Sequence, residues 1–171
     1  MTGDQKASVG NLRRGARVAA VQALYQMELN GGAPDSVIAE FEVFRLQGNA
    51  GDVPVEVPSD VDAEMFADLV QGAAADIPAV DALIEDALDK NRSVPRLEVV
   101  MRAILRAGAY EISQRDDIDT ALTISEYVAV ADAFFNDREP ALVNAVLDRI
   151  ARQVAQRDGA AGVVHDAEQD G

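Results

Sequence analysis

The chain has 171 residues, room for one domain or a compact pair of subdomains, and is 49% hydrophobic and 26% charged. It has no Cys, which excludes disulfides and thiolate metal sites, and its formal net charge of −15 argues against nonspecific nucleic-acid binding. No run is long and apolar enough to span a bilayer and the N-terminus, MTGDQKASVG, lacks an apolar signal core, so a cytoplasmic protein with no membrane association is expected.

The charge is unevenly placed. Residues 1–25 carry Lys6, Arg13, Arg14 and Arg17 against Asp4 alone, whereas 26–89 carry fifteen acidic residues and one basic, Arg45. Residues 90–110 are basic again, with Glu98 the single acid, and 111–171 are acidic. Salt screens charges over roughly 8–10 Å, so local positive patches can act despite the total.

Residues 1–10 are small, polar and aperiodic, and are expected to form a disordered arm. Leu12, Ala16, Ala20, Leu24 and Met27 recur at intervals of three and four, which predicts a helix over about Leu12 to Leu29, capped by Asn11 and ended by Gly31-Gly32. Pro34 opens a second helix to about Leu46, carrying Val37, Ile38, Phe41 and Phe44. GNAGDVPVEVP (48–58) is a loop. Ser59 and Asp62 then resemble a capping box for a helix bearing Phe66, Leu69, Val70 and Ala73. Pro78 breaks or kinks that helix, and Val80, Leu83, Ile84 and Leu88 continue as a fourth.

A fifth helix is expected from Ser93 and Pro95, burying Leu97, Val100, Ile104, Leu105, Gly108 and Ile112. Gly108 inside it costs about 1 kcal/mol against Ala, which points to a close helix crossing. Thr123 and Glu126 form a capping box for a sixth helix to about Phe135. Pro140 begins a seventh, which Leu142, Val143, Val146, Leu147, Ile150 and Val154 carry to about Arg157. Residues 158–171 are read as a disordered tail. The class is all-α, a seven-helix bundle.

Enzymatic machinery is thin. His165 is the only histidine and falls in the expected tail, which leaves no triad or histidine metal site, and no Walker A or Rossmann glycine motif is present. Asp116, Asp117 and Asp119 lack the rest of a calcium loop and read as a solvated acidic turn. No metal and no cofactor is expected.

Arg13, Arg14 and Arg17 fall in the first two turns of the expected first helix, where the macrodipole disfavours cations. Either they project past the core to bind phosphate, by guanidinium forks and helix-start N–H groups, or they are a solvated terminus. Tyr25, three turns on, could stack on an unpaired base; its spacing favours a half-buried ring at the core edge. Arg102 pairs with Glu98 at the favourable i,i+4 spacing. This is surface pairing or, with Met101 beside the apolar stripe, a face for a protein partner.

RRGARVAAVQALYQMEL (13–29), RAILRAGAYEI (102–112), ISEYVAVADAF (124–134) and VNAVLDRIA (143–151) resemble the NusB family of bacterial transcription antitermination factors, in order and over about residues 11–155. The resemblance implies two perpendicular three-helix subdomains, about 11–89 and 93–157, within a domain over 11–157. It implies no catalytic activity, but binding of the boxA element of nascent ribosomal RNA together with the ribosomal protein NusE, in an elongation complex with other Nus factors. The family's RNA-binding arginines fall on Arg13, Arg14 and Arg17, with Lys6 added, its tyrosine on Tyr25, and its turn before the last helix on Arg138 to Asn144. Where the family has Lys-Phe-Val-Asn-Gly, this chain has Ala141-Leu142-Val143-Asn144-Ala145, lacking one charge and one ring. The NusE face falls around Met101 and Arg102. The rival reading is an acidic protein-interaction module that self-associates as a homodimer and does not bind RNA on its own.

Overall fold

The computed structural model describes residues 8–47 and 60–167. The loop expected over 48–58, Ser59 and residues 1–7 of the expected arm fall outside these residues, while Val9 and Gly10, also expected in that arm, are helical. Among the described residues there are seven α-helices and one 3-10 turn: α1 (Val9–Asn30), α2 (Pro34–Gln47), α3 (Ala63–Ala75), α4 (Ile77–Ala87), the turn Val94–Arg96, α5 (Val99–Gln114), α6 (Thr120–Phe134) and α7 (Glu139–Ala167). The all-α expectation holds, and several boundaries move.

Helix α1 is the spine, with two faces buried. Ala16, Ala19, Ala20 and Ala23 line one core with Val37 and Ile38 of α2, Met65, Phe66, Leu69 and Val70 of α3, and Ile118. Val21 and Leu24 line the other with α4, α5, α6 and α7. Alanine lets the helices approach closely, so the larger α3 side chains fill the gap; each such side chain gains about 1.5–3 kcal/mol on burial. Helix α4 contributes Val80, Ile84 and Ala87 to the second core, so by packing it sides with the C-terminal helices rather than with the segment 11–89. Helix α1 ends at Gly31, φ 75°, whose N–H donates to the Met27 carbonyl at 2.9 Å.

The caps account for the shifted boundaries. Ser8 rather than Asn11 caps α1: its hydroxyl accepts from the Asn11 N–H at 3.2 Å, so the helix gains a turn at its start. Asp62 caps α3 and Asp76 caps α4, with Pro78 in that first turn. Asp119 caps α6 through the Leu122 N–H at 3.1 Å. Thr123 and Glu126 are therefore already inside α6, not its cap. The segment at Ser93 to Arg96 forms a 3-10 turn, and α5 starts only at Val99. Residues 158–167 are helical, continuing α7 through the stretch expected to be a tail.

Gly108 does permit a close crossing. A Cβ there would lie 2.9 Å from both Leu147 methyls on α7. Gly72 on α3 faces Tyr110 still more tightly, its Cβ position lying 1.9 Å from the ring. Tyr110 is thereby seated so that its hydroxyl donates to Asp68 at 2.7 Å. Burial, then the Asp68 bond, pushes the Tyr110 hydroxyl up to about 12.

Candidate nucleic-acid interface

The start of α1 decides which arginines can meet a ligand. With Ser8 as cap, residues 9–12 form the first turn and Arg13 and Arg14 fall in the second. The macrodipole effect fades within the first turn, so the conflict that singled out these arginines is mostly relieved.

Arg17 departs from its expected role. It is 2% exposed and Glu111 of α5 is wholly buried. Its Nη2 donates to Glu111 Oε1 at 2.6 Å, and its Nε donates to Oε1 and Oε2 at 3.1 and 3.0 Å. The same carboxylate accepts from the Tyr127 hydroxyl at 2.8 Å and the Thr123 hydroxyl at 3.3 Å. Burial disfavours the Arg17 cation, and the Glu111 bond and charge more than offset it. Burial also pushes the Tyr127 hydroxyl well up, keeping it a neutral donor. An arginine held this way joins α1 to α5 and is not offered to RNA; the expectation for Arg17 is corrected.

Arg14 is in a different state. Its side chain is 60% exposed, while that of Glu126 on α6 is only 11% exposed. Arg14 Nε donates to Glu126 Oε2 at 2.9 Å and its Nη2 to Oε1 at 3.0 Å, a bidentate fork. Its Nη1 has no partner among the described residues. The Arg14 bond holds the Glu126 carboxyl below the usual range.

Arg13 is half-buried, and its Nε has no hydrogen-bond partner among the described residues. Asp117 lies within its field. The Arg115 bond is the main reason that the Asp117 carboxyl is held low, and Arg13 adds a smaller pull. Asp117 and Asp119 have thus an ion pair and a cap as their tasks, and no group of carboxylates or His able to hold a metal occurs among the described residues.

The remaining expected residues scatter. Lys6 lies outside the described residues. Tyr25 is half-buried, packed against the second core, in line with the core-edge alternative. Arg138 and Asn144 are exposed around the start of α7. From Glu126 to Phe134 the α6 axis rises about 12 Å at 1.5 Å per residue, and Arg138 lies in the turn that follows, at the other end of α6 from the pair that holds Arg14.

Of the two residues expected at a partner face, Met101 is corrected and Arg102 has structural partners. Met101 is 3% exposed and belongs to the core. Because α5 begins at Val99, its buried stripe runs through Met101, Ile104, Leu105, Gly108 and Ile112, and Val100 sits at the edge. Arg102 donates from Nη1 to the carbonyls of Val94, Pro95 and Leu97, at 3.3, 3.1 and 2.5 Å, and pairs with Glu28 of α1. It fastens the 3-10 turn to the bundle. Arg106 ties α5 to Asp81 of α4 at 2.8 and 2.9 Å and to Glu28 at 3.1 Å.

Glu126 is the residue that the sequence pattern hid. The capping-box spacing with Thr123 explained it locally. The signal against that explanation is its place among Thr123, Tyr127 and Val130, which marks a carboxylate on a buried stripe and so requires a cation.

Comparison with known proteins agrees with this architecture. A sequence model described as the NusB family matches residues 14–152. The transcription antitermination protein NusB of Sinorhizobium fredii is 46% identical over 151 residues, 88% of this chain and 92% of that protein. The T. maritima NusB structure superposes with a TM-score of 0.65 at 27% identity, covering 86% of this chain and 93% of that one. A crystal structure of the antitermination factors NusB and NusE in complex with double-stranded RNA gives 0.64 at 25% identity, covering 82% and 96%.

Proposed function

The chain belongs to the NusB family, and from that premise we propose that it is a transcription antitermination factor that binds the boxA element of nascent ribosomal RNA jointly with NusE. The observation that carries the RNA reading is the exposed Arg14 beside the half-buried Arg13, at the start of a helix in an otherwise anionic chain. Arginine forks suit phosphate oxygens. Lys6, which lies outside the described residues, is added on the resemblance alone. Arg138 and Asn144 supply a second contact, and Tyr25 is half-buried against the core. The complex of NusB and NusE with RNA among the similar structures supports the partner.

Met101 and Arg102 do not form the NusE face under this proposal, because their side chains serve the core and the 3-10 turn. Binding to RNA alone is weak and is strengthened by NusE. The protein acts in the cytoplasm, within an elongation complex that includes other Nus factors. Self-association gains little support: among the described residues the exposed large apolar side chains are Val9, Leu29, Val43 and Leu122, and Val9 and Leu29 sit at opposite ends of α1.

The test is a titration of boxA RNA, with and without NusE, into the wild-type protein and an Arg13→Glu/Arg14→Glu variant. The reversal is expected to abolish measurable binding to RNA alone while the helical content is retained. Unchanged affinity in a folded variant refutes the site.

A further inference from the structure

Arg14 and Arg17 each hold a carboxylate of their own protein, and Glu126 is the one placed to affect RNA directly. It is nearly buried on α6, while the guanidinium it holds is mostly exposed. Two donors of Arg14 are taken by Glu126, at 2.9 and 3.0 Å. A phosphate that reaches the remaining edge of Arg14 must also approach a fixed negative charge.

Resting on the RNA reading above, we infer that Glu126 is a specificity-determining residue of the RNA surface. By pairing with Arg14 in the free protein, it weakens the attraction for phosphate in general. Phosphate attraction is the part of nucleic-acid binding that is blind to sequence. An RNA with the right bases is seated by other contacts and holds its phosphate at Arg14 Nη1, with the Glu126 fork intact to fix the guanidinium plane. An RNA without those bases meets a cation already half-neutralised. The net charge of −15 works in the same direction over longer range.

The experiment compares boxA RNA with a scrambled single-stranded RNA of equal length, using full-length wild type, Glu126→Gln, Glu126→Asp and Arg14→Gln. Melting curves verify that each variant is folded. Glu126→Gln is expected to bind the scrambled RNA about two- to fivefold tighter, the range set by one ion pair whose arginine is mostly exposed. Its gain for boxA is smaller, so the preference for boxA falls. The salt slope on scrambled RNA steepens by about 0.7, the value for one further cation on a single strand. Glu126→Asp keeps the charge and is expected to keep the wild-type preference.

Scrambled RNA bound no more tightly by Glu126→Gln, with Arg14→Gln still weakening boxA binding, overturns this inference alone. Arg14→Gln with unchanged boxA affinity overturns the RNA site itself, and this inference with it.

Discussion

Arg17 on α1 and Glu111 on α5 lie 94 residues apart in sequence and meet at 2.6 Å inside the protein, with Tyr127 and Thr123 completing the carboxylate's hydrogen bonds. The pair fixes α1 against α5 and α6 at the level where α1 leaves the core. Arg13 and Arg14, one turn earlier, inherit their placement from it. An arginine that reads in sequence as part of a binding cluster is the bolt holding that cluster in position.

Removing one partner would strand a buried charge. Glu111→Gln and Arg17→Ala are each expected to cost about 3–5 kcal/mol, measured by urea unfolding. The double variant Arg17→Met/Glu111→Leu, which removes both charges, should recover much of that loss. A Glu111→Gln variant as stable as wild type would show that the pair holds nothing.

The α5–α7 crossing depends on a missing side chain. Gly108→Ala puts a methyl 2.9 Å from Leu147, which is fully buried. The variant should lose about 1–3 kcal/mol, although alanine favours the helix by about 1 kcal/mol. Combined with Leu147→Ala, the clash disappears, so the two effects should be less than additive in a double-mutant cycle. Simple additivity would mean that the crossing is not what selects glycine.

Arg102 serves the 3-10 turn rather than a partner. Arg102→Ala removes hydrogen bonds to three carbonyls and the pair with Glu28. Faster amide exchange over residues 94–98 and a lower melting temperature are expected, with NusE affinity unchanged once the variant is folded. Lost NusE affinity with unaltered exchange would return Arg102 to the partner face.

Two ionisations give stability opposite pH slopes. The Arg14 bond lowers the Glu126 carboxyl below its ordinary 4.5, so its contribution is fully present above about pH 4.5 and is lost as the pH falls through the lowered value. Tyr110 is raised from 10.0 to about 12, so its contribution is present below pH 10 and is lost between there and about 12. Melting temperatures across pH should show Glu126→Gln flatter on the acid limb and Tyr110→Phe flatter on the alkaline limb. Unchanged limbs would show that neither group is coupled to folding.

The helices were legible because apolar residues at intervals of three and four have few other readings; Phe66, Leu69 and Val70, or Val146, Leu147 and Ile150, are buried as that spacing requires. The chemistry of the α1 end was legible only in part. Local spacing explained Glu126 as a cap and Arg17 as surface, and both were claimed instead by partners 112 and 94 residues away. Sequence carries no local mark of such a meeting, except that each charge sits on a stripe of buried residues. Met101 was misplaced for another reason. The 3-10 turn at Val94–Arg96 breaks the helix before Val99, so bearings counted from Leu97 do not carry into α5.

The most direct measurement is the salt dependence of boxA binding. With Arg17 in the core, the cations proposed to meet phosphate are Lys6, Arg13, Arg14 and Arg138, which predicts a slope of log affinity against log salt near −2.8 at about 0.7 per phosphate on a single strand. Arg13→Gln/Arg14→Gln should bring the slope to about −1.4. A double variant that keeps the wild-type slope would place the RNA elsewhere on the protein and contradict the account.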